Sequence, residues 1–295
     1  MSARGAATAA LGLILGLSLA ACGKGSSVKL PFQLPGSNTG IDGTALENTI
    51  DEQFGGVGTC LIVADAKSGS EVYRYNSNGV CMNRMPPCET YEIPGDLMAV
   101  DAGIITPETR LKWDRTPQPV AIWQQDADLK TAFAYSIGWW QAQLAQKLGA
   151  ARIRQQLKAF DYGNTDIGPS LSSFWMGPAQ GGQLGISTRE QAQFLHRLFA
   201  GKLPVKPESA QAVEQVMVDE TRGQSTISGK AGACSTLSDG SRNVTWYVGR
   251  LNTPKHDWVF AASLEGETKN ALPGVELAHR VKFAFAQAGM WPSGS

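Results

Sequence analysis

Pro87-Cys88-Glu89-Thr90-Tyr91-Glu92-Ile93-Pro94, followed by Leu97-Met98-Ala99-Val100-Asp101-Ala102-Gly103-Ile104-Ile105, is the stretch that decides how this chain is read. Two carboxylates three residues apart precede an apolar run that reads as a helix over Asp96 to Gly103. At that spacing Glu89 and Glu92 share one helix face. Both fall in a first turn, where the helix dipole favours negative charge. Upstream, Thr59 to Asp65 reads as a buried strand, Lys67 to Ser70 as a turn, and Glu71 to Tyr75 as a hairpin partner. Downstream, Leu129 to Leu148, Ala151 to Phe160 and Thr188 to Phe199 have helical spacing. Ser187 offers an N-cap with Glu190 three residues on, the signature of a capping box. Thr226 to Lys230, Val244 to Leu251 and Trp258 to Leu264 return to strand, and Leu277 to Ala288 closes with a helix. Strands at both ends around a helical middle predict an α/β (α+β) fold, a central antiparallel sheet with packed helices and a helical lobe. No internal repeat is present.

With 295 residues, 42% of them hydrophobic, the chain can build a substantial core. Lys+Arg and Asp+Glu are equal at 26 each, so no global field draws it to nucleic acid. Arg4, an apolar run from Ala9 to Leu19 and small residues up to Ala21 read as a secretory signal over 1–21. The run is shorter than the roughly 20 apolar residues of a membrane span. Leu19-Ala20-Ala21-Cys22 resembles a bacterial lipobox, which makes Cys22 the expected lipidation site and the membrane a partner through that anchor. Gly23 after it favours the outer membrane, with the domain facing the periplasm. Residues 22–43 read as a Ser-, Gly- and Pro-rich tether, and 44–291 as the globular domain. Cys60, Cys81, Cys88 and Cys234 remain in an oxidising compartment, where an even number suggests disulfides. Cys81 with Cys88 is the first expectation, because they close a short loop, and Cys60 with Cys234 is a further possibility. No metal or cofactor is expected: there is no Cys-x-x-Cys, and His196, His256 and His279 lack ligand spacing.

The quoted stretch resembles the Pro-x-Ser-Thr-Phe-Lys-Ile-Pro segment of class D serine β-lactamases and penicillin-binding transpeptidases. Glu89 stands at the nucleophile position and Glu92 at the lysine position. Ser136-Ile137-Gly138 resembles the family's Ser-x-Val motif and Tyr162-Gly163-Asn164 its Tyr-Gly-Asn. Lys230-Ala231-Gly232 stands for Lys-Thr-Gly, and Trp246-Tyr247-Val248-Gly249 resembles the strand after it. Phe174-Trp175 falls where the family sets a tryptophan over its modified lysine. In order and at family spacing, these motifs cover residues 45 to 290.

The resemblance makes Glu89, Glu92, Ser136 and Lys230 the catalytic motif positions and Trp175, Ala231 and Gly232 the substrate-binding ones. It also implies that normal acylation fails. Acyl transfer needs a hydroxyl to attack and a base to take its proton. Carboxylate attack on a lactam would give an anhydride that reverts or hydrolyses. Thr90 keeps a hydroxyl, but one helical step turns it roughly 100° from the cleft. The family's lysine is carboxylated and serves as base, so Glu92 keeps the sign of that charge on a shorter arm. Ala231 lacks the hydroxyl that holds an antibiotic's carboxylate, and one hydrogen bond to a charged group is worth about 1.5–3 kcal/mol. Lys230 is expected as counter-ion to both glutamates. Plain structural roles are open to Trp175 as a core aromatic, Tyr162-Gly163-Asn164 as a turn and Ser136 as a cap at a helix start. Three functional readings follow. One is a non-acylating pseudoenzyme that binds a peptidoglycan peptide, a β-lactam or an envelope protein. The second is a β-lactam hydrolase with an unorthodox nucleophile or base, including glutamates that divide acid and base roles. The third is a structural envelope lipoprotein.

Overall fold

Six strands, each antiparallel to its neighbours, form one sheet in the spatial order Glu71–Asn76, Gly58–Asp65, Asp257–Glu267, Arg242–Asn252, Ser225–Ser235, Val218–Arg222 in a computed structural model that describes residues 39–293. The expected signal segment 1–21, Cys22 and most of the tether lie outside the described residues. Helix α1 (Gly43–Phe54) leads into β1 (Gly58–Asp65) and β2 (Glu71–Asn76). The helical half follows as α2 (Glu92–Asp101), α3 (Leu129–Tyr135), α4 (Gly138–Leu148), α5 (Ala150–Ala159), α6 (Thr188–Phe199) and α7 (Pro207–Val216). The chain returns through β3 (Val218–Arg222), β4 (Ser225–Ser235), β5 (Arg242–Asn252) and β6 (Asp257–Glu267), and ends with α8 (Gly274–Gln287).

The central strands are apolar on both faces because both faces are covered. Alternate side chains of a strand point to opposite sides, and the two cores divide along that alternation. Cys60 and Ile62 of β1, Val244, Trp246 and Val248 of β5, and Val259 and Ala261 of β6 join the core under the helical half. Leu61 and Val63, Tyr247 and Leu251, and Phe260, Ala262 and Leu264 join the other core, under α1 and α8. Helix α6 crosses the sheet, and its Thr188 hydroxyl meets Ser263 at 2.7 Å. Its expected capping box is present: Ser187 Oγ accepts from the Glu190 amide at 3.2 Å and Glu190 Oε2 from the Ser187 amide at 2.9 Å.

Two features depart from expectation. Leu129 to Leu148, read as one helix, is two, broken at Ser136. That residue adopts φ 48° at the C-terminal end of α3, so Ser136 caps a helix end and not a start. Helix α7 and strand β3 escaped the periodicity reading. β3 is a short edge strand, Val-Asp-Glu-Thr-Arg, with no residue fully buried, so it lacks the apolar alternation that marks a strand.

The cysteines pair differently from the first expectation. Cys60 is joined to Cys81 and Cys88 to Cys234, with Cα separations of 5.2 and 5.7 Å. Cys81 lies in a 3-10 segment, Ser77–Met82, folded back beside β1 and Cys60. From there the chain runs out to pair Met85 with Ile186 before it reaches Cys88. That excursion carries Cys88 away from Cys81 and brings it to β4. In the chain-entropy picture, closing a loop over a separation of 146 residues is worth about 5 kcal/mol, against about 3 kcal/mol for 21. Chemical denaturation of paired Cys→Ala variants should therefore show a larger stability loss for Cys88 and Cys234 than for Cys60 and Cys81. A larger loss at Cys60 and Cys81 would contradict this.

Candidate ligand cleft

Glu89 lies in a 3-10 turn, Cys88–Tyr91, that runs directly into α2. Cys88 takes φ 51°, and its amide donates to the Trp175 carbonyl at 3.0 Å, so the turn enters under local constraint. Across from it runs β4 with Lys230, Ala231, Gly232 and Ala233. Glu89 Oε2 accepts a hydrogen bond from the Ala233 amide at 2.8 Å. Burial pushes the Glu89 carboxyl above its ordinary range, opposed by the backbone N–H groups of Glu89 and Ala233 and by the charge of Lys230. A backbone N–H aimed at an oxygen across a cleft is the device that stabilises a developing acyl oxyanion, and here the Ala233 amide is taken by the chain's own carboxyl.

Gly232 permits that approach. A Cβ there would stand 2.7 Å from Glu89 Oε2 and 2.9 Å from the Glu89 nitrogen. The disulfide holds the same junction covalently, since Cys88 immediately precedes Glu89 and Cys234 immediately follows Ala233.

Lys230, expected to face both glutamates, forms its ion pair with Glu92 alone among the described residues. Its Nζ is 2.6 Å from Glu92 Oε2, donates to the Phe133 carbonyl, and sits 4.3 Å from the centre of the Phe133 ring. The lysine and glutamate side chains are only 6% and 4% exposed, so this is an interior pair. One turn further along α2 is Asp96, fully buried. Its Oδ1 accepts from Trp140 Nε1 at 3.0 Å and from Gln141 Nε2 at 2.6 Å, while Oδ2 has no hydrogen-bond partner among the described residues. Burial drives the carboxyls of both Glu92 and Asp96 upward. Lys230 opposes this at Glu92, and the two hydrogen bonds oppose it at Asp96, whose pKa still reaches about 7.

The cleft itself has a volume of about 600 Å³. Glu89, Ser136, Lys230, Ala231 and Gly232 all line it, with Phe133, Asp219, Val275 and Tyr247 among the other walls. Five of the seven expected site positions thus reach one cavity, while Glu92 is packed behind Lys230. Trp175 is 4% exposed and stacks on Tyr91 with ring centres 5.2 Å apart, and it does not line the cleft. The Thr90 hydroxyl points into the core, donating to the Pro87 carbonyl at 2.6 Å and accepting from Gln191 at 2.8 Å. In the Tyr162-Gly163-Asn164 segment, Asn164 exchanges hydrogen bonds with the backbone at Gln183 and Gly185, and Gly163 takes φ 59° against the Gly185 carbonyl. That segment shapes a turn.

Asp96, Phe133 and Ala233 were not legible as site residues. Asp96 reads as an ordinary polar position of a helix. The other two contribute a ring, a carbonyl and an amide that no side-chain pattern reveals.

Residues 57–279 match the family of penicillin binding protein transpeptidase domains. The chain is 34% identical to β-lactamase OXA-48 of Klebsiella pneumoniae, over 63% of this chain and 68% of that protein. It is 31% identical to β-lactamase OXA-1 of Escherichia coli, over 76% of this chain and 82% of that one. Among solved structures it is similar to the C-terminal domain of the Bacillus licheniformis BlaR penicillin receptor, with a TM-score of 0.72, 25% identity, and coverage of 84% of this chain and 96% of that domain.

A carboxyl held above its unfolded pKa favours folding while protonated, and that contribution is lost as pH rises through the folded pKa. For Asp96 the window runs from the ordinary aspartate value near 4 to about 7. Asp96→Asn keeps an acceptor for Trp140 and removes the titration. Its melting temperature relative to the parent should rise across that window by several degrees, since 1 kcal/mol moves a domain of this size by roughly 2–4 °C. A difference independent of pH between 4 and 8 would contradict the assignment.

Proposed function

Because this chain belongs to the penicillin-binding transpeptidase and class D β-lactamase family, we propose that it is a non-acylating member, a pseudoenzyme that binds at the cell wall where its relatives form acyl-enzymes. The observation that carries this reading is the carboxyl of Glu89, standing where an attacking hydroxyl would be needed and held on the Ala233 amide. A substrate carbonyl would have to displace that carboxyl from the amide before it could be polarised there. Once there, it would meet no hydroxyl at position 89.

The neighbouring hydroxyls do not replace the nucleophile. Thr90 is committed to the core. Ser136 lines the cleft, but no hydrogen bond joins its hydroxyl to a base among the described residues. Lys230 Nζ is engaged by Glu92 and the Phe133 carbonyl, and no hydrogen bond joins it to a cleft hydroxyl among the described residues. The hydrolase reading would need one of these arrangements to rebuild itself on binding. The similarity to a penicillin receptor domain supports a binding role for this fold. The site of action follows from the N-terminus: a secretory signal, lipidation at Cys22 and a tether would hold the domain at the cell envelope, facing the periplasm and on the outer membrane by the residue after the cysteine. A peptidoglycan peptide or an envelope protein is the fitting partner class.

Incubation of the purified protein with a fluorescent penicillin tests the reading. No denaturation-resistant labelled band is expected, and a covalent band would overturn it. The paired reversion Glu89→Ser with Glu92→Lys should yield a band. Its absence would place the loss of acylation elsewhere than in these two residues. In cells, Cys22→Ser should move the protein from the membrane pellet to the soluble fraction, and unchanged sedimentation would remove the lipid anchor from the account.

A further inference from the structure

We infer that the cleft takes a ligand carrying a primary ammonium or guanidinium group on an aliphatic chain, in place of a carboxylate-bearing one. The inference deepens the binding role proposed above and rests on it. Three charged side chains line the cavity: Glu89, Asp219 and Lys230. The single cation among them is not available to a ligand. Lys230 is 6% exposed and already shared between the Glu92 carboxylate, the Phe133 carbonyl and the Phe133 ring. An incoming carboxylate would have to compete with Glu92 for it inside the protein, where separating a buried pair is costly. Position 231 is alanine, so no side-chain hydroxyl beside Lys230 adds a donor for an anion.

The carboxylates are placed in the opposite way. On the far wall, Lys282 is 2.9 Å from Asp219 and 3.1 Å from Glu220, and Arg222 is 2.6 Å from Glu220. The Tyr247 hydroxyl donates to Asp219 at 2.7 Å and fixes its orientation. Lys230 serves Glu92. That leaves Glu89, among the described residues, with no cation in an ion pair. It is held by the Ala233 amide, and burial raises its carboxyl above the usual range although the charge of Lys230 opposes this from a distance beyond an ion pair. A cation in the cleft would complete it. The remaining walls include Phe133, Val216, Val218, Val275 and Ala278. Val218 and Val275 are 51% and 62% exposed, so they offer apolar surface to the chain behind a charged head group.

Titration calorimetry of the full chain with hexylammonium, hexanol and hexanoate separates charge from chain length. Hexylammonium should bind about tenfold or more tightly than hexanol, a difference of roughly 1.4 kcal/mol, and hexanoate should bind weakest. Glu89→Gln, checked for an unchanged melting profile, should bring hexylammonium to the level of hexanol. Hexanoate binding as tightly as hexylammonium in the unsubstituted protein would overturn the inference. So would undetectable hexylammonium binding, or an affinity that Glu89→Gln leaves unaltered. These affinities are independent of penicillin labelling, so a labelled band would refute the non-acylating reading without deciding the charge preference.

Discussion

The contact between the turn at Glu89 and strand β4 is the constraint on which the site depends. Three different interactions act on it. The Cys88–Cys234 disulfide ties the two backbones together, Gly232 removes the side chain that would hold them apart, and the Glu89 carboxylate accepts from the Ala233 amide. The first two bring the turn close against β4, and the third sets the Glu89 carboxyl on a β4 amide, a backbone donor of the kind that can stabilise an oxyanion.

Behind that contact, the charges follow from burial. A lysine and two carboxylates lie within two turns of α2 and the adjacent part of β4, nearly out of contact with water. An unpaired ion there would cost several kcal/mol, so Lys230 turns to Glu92 and to the π face and carbonyl of Phe133. Burial favours the neutral acid at Asp96, although indole and amide donors on Oδ1 oppose it, and Oδ2 has no hydrogen-bond partner among the described residues. The arrangement accounts for the cavity's character: its cation is turned inward, and its glutamate lies against the open space.

Much of this was legible in the sequence where side-chain pattern determines structure. Alternation and helical spacing located the central strands β1, β5 and β6 and the long helices. The Ser187–Glu190 capping box was readable because it rests on two side chains at fixed spacing. The motif residues Glu89, Ser136, Lys230, Ala231 and Gly232 were found in order and do converge on one cleft. Features set by backbone and long-range geometry were not legible. The break at Ser136 comes from a positive φ in a helix-like sequence. Polar β3 is a strand because β4 pairs with it, not because of its own pattern. The disulfide pairing follows an excursion through Met85 that no spacing reveals. The partition of charge, with Lys230 given to Glu92 and a backbone amide given to Glu89, follows from how the turn meets β4.

A crystal structure of the protein after prolonged exposure to benzylpenicillin tests the central claim most directly. The account predicts an unmodified Glu89 with Oε2 near 2.8 Å from the Ala233 amide nitrogen, as found here, and no covalent density on any side chain of the cleft. A ligand carbonyl seated between the Glu89 and Ala233 amides, with the carboxylate swung away or a hydroxyl bonded to it, would contradict it.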